Sequence, residues 1–218
     1  MFKILSPQTK IVGVEPKGAP SMSTSIQNKK NMELEEIENF VDGAAVKRVG
    51  DLTFNIARQN LHEMITVDEG LICQTILDLY NKEAIVAEPA AALSIAALEY
   101  YKEEIKDKNI VCIISGSNND ITRTAEISER AMLYADLKHY FIVNFPQRAG
   151  ALRQFVEQIL GPNDDITYFQ YTKKTNRQTG SAVVGLEIKS ISDFDPLIKR
   201  MKEHNFYGDY LNNKPDLF

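Results

Sequence analysis

At 218 residues, with 44% apolar side chains and a formal charge of −5, the chain has the make-up of a globular protein built as one large domain or two ordinary ones. Acidic residues outnumber basic ones 30 to 25, which excludes the clustered basic face of a nucleic-acid binder. No apolar run approaches the roughly 20 residues of a bilayer-spanning helix, and the first residues do not resemble a secretory signal, so a cytoplasmic location is expected. The charge is unevenly spread. Residues 1–135 carry 14 basic and 20 acidic side chains, residues 136–218 carry 11 and 10, and this shift marks an expected domain boundary near 136.

Met1 to Leu5 reads as the tail of a helix stopped at Ser6-Pro7. Lys10 to Glu15 is a short β-rich run closed by Pro16, expected as a buried strand ending in a carboxylate. Lys17-Gly-Ala-Pro-Ser-Met22 signals a turn, followed by a polar stretch through Asn31, and Glu33 to Glu38 an exposed helical turn. In Val41-Asp-Gly-Ala-Ala-Val46 the side chains are small, and Gly43 would let backbone approach another group closely. Leu52 to Asn60 suits a short helix and Met64 to Val67 a strand. Asp68 stands as an N-cap for a helix over 69–80 whose inner face carries Ile72, Ile76, Leu79 and Tyr80. Pro89 opens a second helix, Ala90 to Leu98, apolar nearly all round and therefore interior, with Glu88 just ahead of it in the positive field of its N-terminus.

Ile110 to Ile114 is an apolar, β-branched run leading into Ser115-Gly-Ser-Asn-Asn-Asp120 and then a helix over 121–133. This predicts a buried parallel strand and an outgoing turn. In open α/β sheets such turns are where ligands sit, and Ser115 is the first residue past the strand. A plain β-turn chosen for Gly116 and the asparagines fits the same residues. Cys73 in the expected helix and Cys112 in the expected strand read as small core residues of a reducing compartment.

Strand and helix alternate through residue 135, the pattern of an α/β domain with a parallel sheet. Residues 139–211 follow another order. His139 to Phe145 reads as a strand and Ala149 to Leu160 as a helix with Leu152, Phe155, Val156 and Ile159 on one face. Ile166 to Thr172 and Ser181 to Ile188 are strands joined by a turn at Asn176 to Gly180, Asp193 to His204 is a helix, and Tyr207 to Leu211 a last strand. That βαββαβ order predicts a ferredoxin-like α+β domain.

Four motifs stand in register: Ile11-Val-Gly-Val-Glu-Pro16, Val41-Asp-Gly-Ala-Ala-Val46, Val86-Ala-Glu-Pro-Ala-Ala-Ala92 and Ile113-Ile-Ser-Gly-Ser-Asn-Asn-Asp120. They are followed by Asn144-Phe-Pro-Gln-Arg-Ala-Gly-Ala-Leu152. Together they resemble the biosynthetic threonine dehydratases (threonine ammonia-lyases, threonine deaminases), lyases that use pyridoxal phosphate and carry an ACT-like regulatory domain. The resemblance implies part of a fold-type II catalytic domain over 1–135 and an ACT-like domain over 136–218. It implies that Ser115 meets the pyridine nitrogen of the cofactor, that Gly43 brings backbone to the ring, and that Glu88 is a carboxylate of the same pocket. It also implies a cation site at Glu15, Ala19 and Ser21, monovalent because Ser21 stands where related enzymes carry an acid. A capping or solvated role fits Glu15 and Glu88 equally well from sequence.

The same resemblance shows what these residues lack: the lysine that forms the family's Schiff base and the glycine-rich phosphate loop. The expectation is therefore a carboxyl-terminal portion of such an enzyme, inactive by itself and with no catalytic residue of its own. The full enzyme would take threonine to 2-oxobutanoate and ammonia at the first step of isoleucine biosynthesis. A serine substrate stays open. For the second domain, the resemblance implies allosteric binding of isoleucine, with valine as antagonist, at Arg148, Ala149, Gly150, Ala151, Asp165 and Ile166 in a homo-oligomer. Gly150 would admit a carboxylate to the helix N-terminus. The alternative is a non-catalytic regulatory protein that binds branched-chain amino acids.

Overall fold

A computed structural model describes residues 2–171 and 179–214 and divides the chain into two compact units, 1–131 and 132–218. In the first, α1 (Phe2–Leu5) precedes β1 (Val12–Pro16), α2 (Ser21–Gln27), α3 (Asp51–Asn60), β2 (Glu63–Val67), α4 (Glu69–Glu83), α5 (Pro89–Ala96) and α6 (Thr124–Tyr134). β1 and β2 pair in parallel from Val12 opposite Glu63 to Pro16 opposite Val67. Asp68 caps α4 as its position in the sequence predicts, accepting the Gly70 amide at 3.0 Å. Pro89 opens α5, whose Ala92, Leu93 and Ala96 join Val67, Ile72, Cys73, Ile76 and Ile127 in one core. Burial raises the Cys73 thiol to about 12, so it is inert at neutral pH.

Four expectations fail in this unit: the strand at 110–114, the polar stretch after Pro20, the helical turn at 33–38, and Tyr80, which is 62% exposed because the buried row of α4 runs through 72, 76 and 79. Ile110 to Ile114 forms no strand: Val111 is 87% and Ile113 76% exposed. Among the described residues this run pairs with neither β1 nor β2, and without a ladder partner it is not a strand. The segment is held to α5 instead, where Ser94 Oγ donates to the Ile113 carbonyl (2.9 Å) and Cys112 Sγ to the Ser94 carbonyl (3.4 Å). Cys112 is thus half-buried, not a core residue of a strand. The expected polar stretch after Pro20 begins with the helix α2, because Glu15 supplies its amino end with an acceptor from outside the segment. Glu33 to Glu38 is irregular, and Glu38 is engaged by Arg130.

The second unit contains β3 (Lys138–Pro146), α7 (Ala151–Gln158), β4 (Asp165–Tyr171), β5 (Thr179–Glu187), α8 (Phe194–Glu203) and β6 (Tyr207–Tyr210). Its sheet has the order β4-β5-β3-β6, with every neighbouring pair antiparallel. This is the ferredoxin-like arrangement that the sequence predicts. The expected turn at Asn176 to Gly180 lies largely outside the described residues. Alternation along β3 buries Phe141, Val143 and Phe145, which face Val184 and Ala182 across the ladder. Phe155 and Ile159 from α7 and Leu197 and Met201 from α8 close the core over them. Leu152 and Val156, expected on that inner face, are exposed, because the buried row is 151, 155, 159 and they lie one residue round the helix.

His139 is buried in this unit. Its Nε2 meets the Asp136 carbonyl at 3.0 Å, which only accepts, so Nε2 carries the proton and Nδ1 accepts from the Tyr210 hydroxyl at 2.9 Å. Burial lowers its pKa below the ordinary value of about 6.5. The unfolded chain therefore takes up the proton first as pH falls. His139's contribution is complete above about pH 6.5 and declines as pH drops from there towards the lower folded value. The melting temperature should fall between about pH 7 and 5.5, and His139→Gln should flatten that slope. Equal slopes in the two proteins would refute the assignment.

Candidate functional site

Three separate stretches of the first unit meet at the amino end of α5. Glu88 immediately precedes Pro89, and its carbonyl accepts the Ala91 and Ala92 amides at 3.0 and 3.1 Å, which fixes Glu88 to the first helical turn. Its own amide donates to the Gly116 carbonyl at 3.3 Å, so the turn after Ser115 is laid against it. A Cβ at position 116 would meet the Glu88 carboxyl group at 2.5–2.7 Å, so any larger residue there would have to turn that side chain aside. From the other side, a Cβ at Gly43 would stand 3.0 Å from Ala90 Cβ and 3.8 Å from Glu88 Oε1. The structure thus brings Gly43, Glu88 and the Ser115-Gly116 turn to one place, with the Ser115 hydroxyl on an exposed residue beside them. Bare backbone, a hydroxyl and a carboxylate are the groups this place offers to a flat, polar-edged ligand.

Two participants are not legible in the sequence. Arg123, at the 3₁₀ turn leading into α6, donates from Nη2 to the Phe40 carbonyl (2.7 Å), and Nη1 lies 3.8 Å from Asp42. Phe40 itself is buried three residues before Gly43. No spacing rule links residues 83 positions apart.

Glu15 and Ser21 come together, and Ala19 lies buried in the turn between them, its amide donating to the Pro16 carbonyl at 3.1 Å. Glu15 Oε1 accepts the Met22 amide (2.6 Å) and the Ser21 hydroxyl (3.4 Å), and Oε2 accepts the Ser23 amide (2.8 Å). These are donors to a carboxylate, which is the capping geometry. The buried Ser23 hydroxyl has no hydrogen-bond partner. Among the described residues no group of three His, Cys, Asp or Glu side chains is placed to hold a metal ion.

In the second unit, Gly150 takes φ +82° and caps α7, with Arg148 and Ala149 exposed and Ala151 buried behind it. The Arg148 guanidinium bonds the Gln154 side chain. Asp165 and Ile166 are not beside this turn. Asp165 pairs with Glu187, which lies opposite Lys138, whereas Pro146 pairs with Thr179 at the other end of β3. Eight steps of extended chain put the two about 27 Å apart. Asp165 is exposed, while Asp164 is the engaged carboxylate, accepting the Gly161 amide at 2.6 Å with Arg200 at 3.7 Å. Gln147 was not singled out from sequence. Its Nε2 is buried with no hydrogen-bond partner among the described residues, and a Cβ on Gly180 would come 3.2 Å from it.

Residues 1–116 match the family described as pyridoxal-phosphate dependent enzyme, and residues 129–217 match the C-terminal regulatory domain of threonine dehydratase. The chain is 53% identical to the L-threonine dehydratase biosynthetic IlvA of Staphylococcus aureus (strain NCTC 8325) and 51% identical to that of Halalkalibacterium halodurans. Each match covers 100% of this chain and 52% of the relative, so the chain spans about half the length of the relatives it matches. Among solved structures, the processed form of threonine deaminase isoform 2 from Solanum lycopersicum superposes with a TM-score of 0.57 at 38% identity. It covers 61% of this chain and 37% of the tomato chain. With a family match over more than half its length and its motif residues gathered at the end of α5, the chain belongs to the pyridoxal-phosphate dependent enzymes, and it carries the regulatory domain of threonine dehydratase.

Proposed function

We propose that this chain is the carboxyl-terminal portion of a pyridoxal-phosphate dependent threonine ammonia-lyase, cytoplasmic and homo-oligomeric, with its own amino-acid sensor. The observation that carries this is the meeting of Gly43, Glu88 and Gly116 at the start of α5. The donor set fits the cofactor: Ser115 would hold the pyridine nitrogen, Gly43 would present bare backbone to the ring, and Glu88 would supply the nearby carboxylate. Pyridoxal phosphate, when bound, supplies the electron sink for β-elimination. A neutral Ser115 hydroxyl leaves the ring nitrogen unprotonated and so moderates that sink. Glu15, Ala19 and Ser21 are proposed as the cation-binding loop, with the Ser23 hydroxyl as an added oxygen.

Isoleucine and valine are the proposed effectors, taken by Arg148, Ala149, Gly150 and Ala151 of one copy with Asp165 and Ile166 of another, since one chain holds the two sets at opposite ends of β3. By the resemblance, none of this chain's lysines stands in the family's Schiff-base context, and among the described residues Ile110 to Ile114 has no sheet partner. Alone, the chain should form no 2-oxobutanoate from threonine and pyridoxal phosphate. Co-expressed with the amino-terminal half of the Staphylococcus aureus relative, it should. The exposed run 110–114 also suits a second reading, a non-catalytic protein that binds branched-chain amino acids. Tight isoleucine binding by calorimetry, with no activity after co-expression, would favour that reading over the first.

A further inference from the structure

The loop that carries Gly43 has no ladder or helix to place it, only a turn in which the Ala44 and Ala45 amides donate to the Val41 carbonyl at 2.9 and 2.8 Å. A segment of this kind opens readily unless side chains tie it down. Buried Val41 joins the core with Val67 and Leu71, the Leu34 amide donates to the Lys47 carbonyl at 2.9 Å, and two arginines at and just before α6 hold Phe40. Arg123 reaches the Phe40 carbonyl and sets its guanidinium 4.9 Å from the centre of the Phe40 ring; Arg130, two turns along α6, sets its own 4.3 Å from the same ring. Each guanidinium is held in turn. Arg130 binds Glu38 and, through Nε, Glu126 at 3.0 Å; Arg123 lies 3.8 Å from Asp42 and from Glu126. Glu38 extends the chain of contacts, its amide donating to the Gly18 carbonyl at 2.9 Å, and the Gly18 amide donates to Glu69 Oε1 at 2.7 Å. The loops bearing Gly43 and Ala19 are thus both fastened through residues 38–40 to α6.

We propose that Arg123 and Arg130 are positioning residues for the cofactor-facing loop, gripping Phe40 so that Gly43 is kept at its distance from Ala90 and Glu88. They touch no reacting atom. Their planar guanidinium groups combine ring stacking with fixed donor directions, which a lysine cannot reproduce. The cofactor-facing part of this statement rests on the reading of Gly43; the grip does not.

The test is amide hydrogen exchange on the whole 218-residue chain. Arg130→Met should speed exchange at residues 41–45 about tenfold, leaving β2 and residues 71–76 of α4 within about twofold of the parent. Arg130→Lys should restore part of the protection, and in a Phe40→Leu background neither substitution should add to the loss. Unchanged exchange at 41–45, or equal acceleration throughout the first unit, would overturn the proposal. The readout needs no cofactor, so failure of the chain to bind pyridoxal phosphate after co-expression bears on the reading of Gly43 alone.

Discussion

Replacing Phe155 by alanine is expected to cost the second unit about 3–5 kcal/mol, the range for deleting a fully buried aromatic ring. Phe155 is 0% exposed, with ring centroids 5.2 Å from Phe145 and 5.4 Å from Phe206, so it joins α7 to β3 and to the segment entering β6. Besides Phe155, the buried Ile159 at the carboxyl end also anchors this helix, whereas Ala151 is small and Leu152 and Val156 face outward. The slowest amides of β3 and β5 should exchange at least about a hundredfold faster. Because α7 starts at Gly150, the same substitution should loosen the proposed effector turn. A change below about tenfold would mean that the cavity collapses without penalty and that α7 is held by something other than this ring.

Glu15→Ala should lower the stability of the first unit by about 3 kcal/mol, because it leaves the Met22 and Ser23 amides and the Ser21 hydroxyl facing a void in a buried site. Glu15→Gln keeps one acceptor oxygen but turns an NH₂ group towards an N–H donor, so about half the loss is expected. Urea unfolding, with exchange at residues 21–27 as the local readout, measures both. A loss under about 1 kcal/mol for the alanine variant would show that the carboxylate is not the cap of α2.

The features legible in the sequence were those with local causes. Asp68 and Pro89 announce α4 and α5 because an N-cap and a first-turn proline act within a few residues of themselves. The βαββαβ order of the second unit follows from hydrophobic periods of two and 3.6 that each segment carries alone. Gly43, Glu88 and Ser115 could be picked out by motif, although their distances could not. Phe40, Arg123 and Arg130 left no trace, since stacking between residues far apart in the chain has no sequence period.

What the sequence by itself determined was the order of the elements in the second unit, the starts of α4 and α5 in the first, and the residues offered for the site. Tertiary structure decided whether those elements had partners. Ile110 to Ile114 has the residues of an inner strand yet lies largely exposed, because a strand is a relation between two paired segments and among the described residues this run is paired with none. The residues after Pro20 look like a loop yet begin with a helix, because the carboxylate that satisfies their first amides comes from Glu15 at the end of another element. In both places the outcome rests on hydrogen-bonding groups elsewhere in the chain, which no local pattern records.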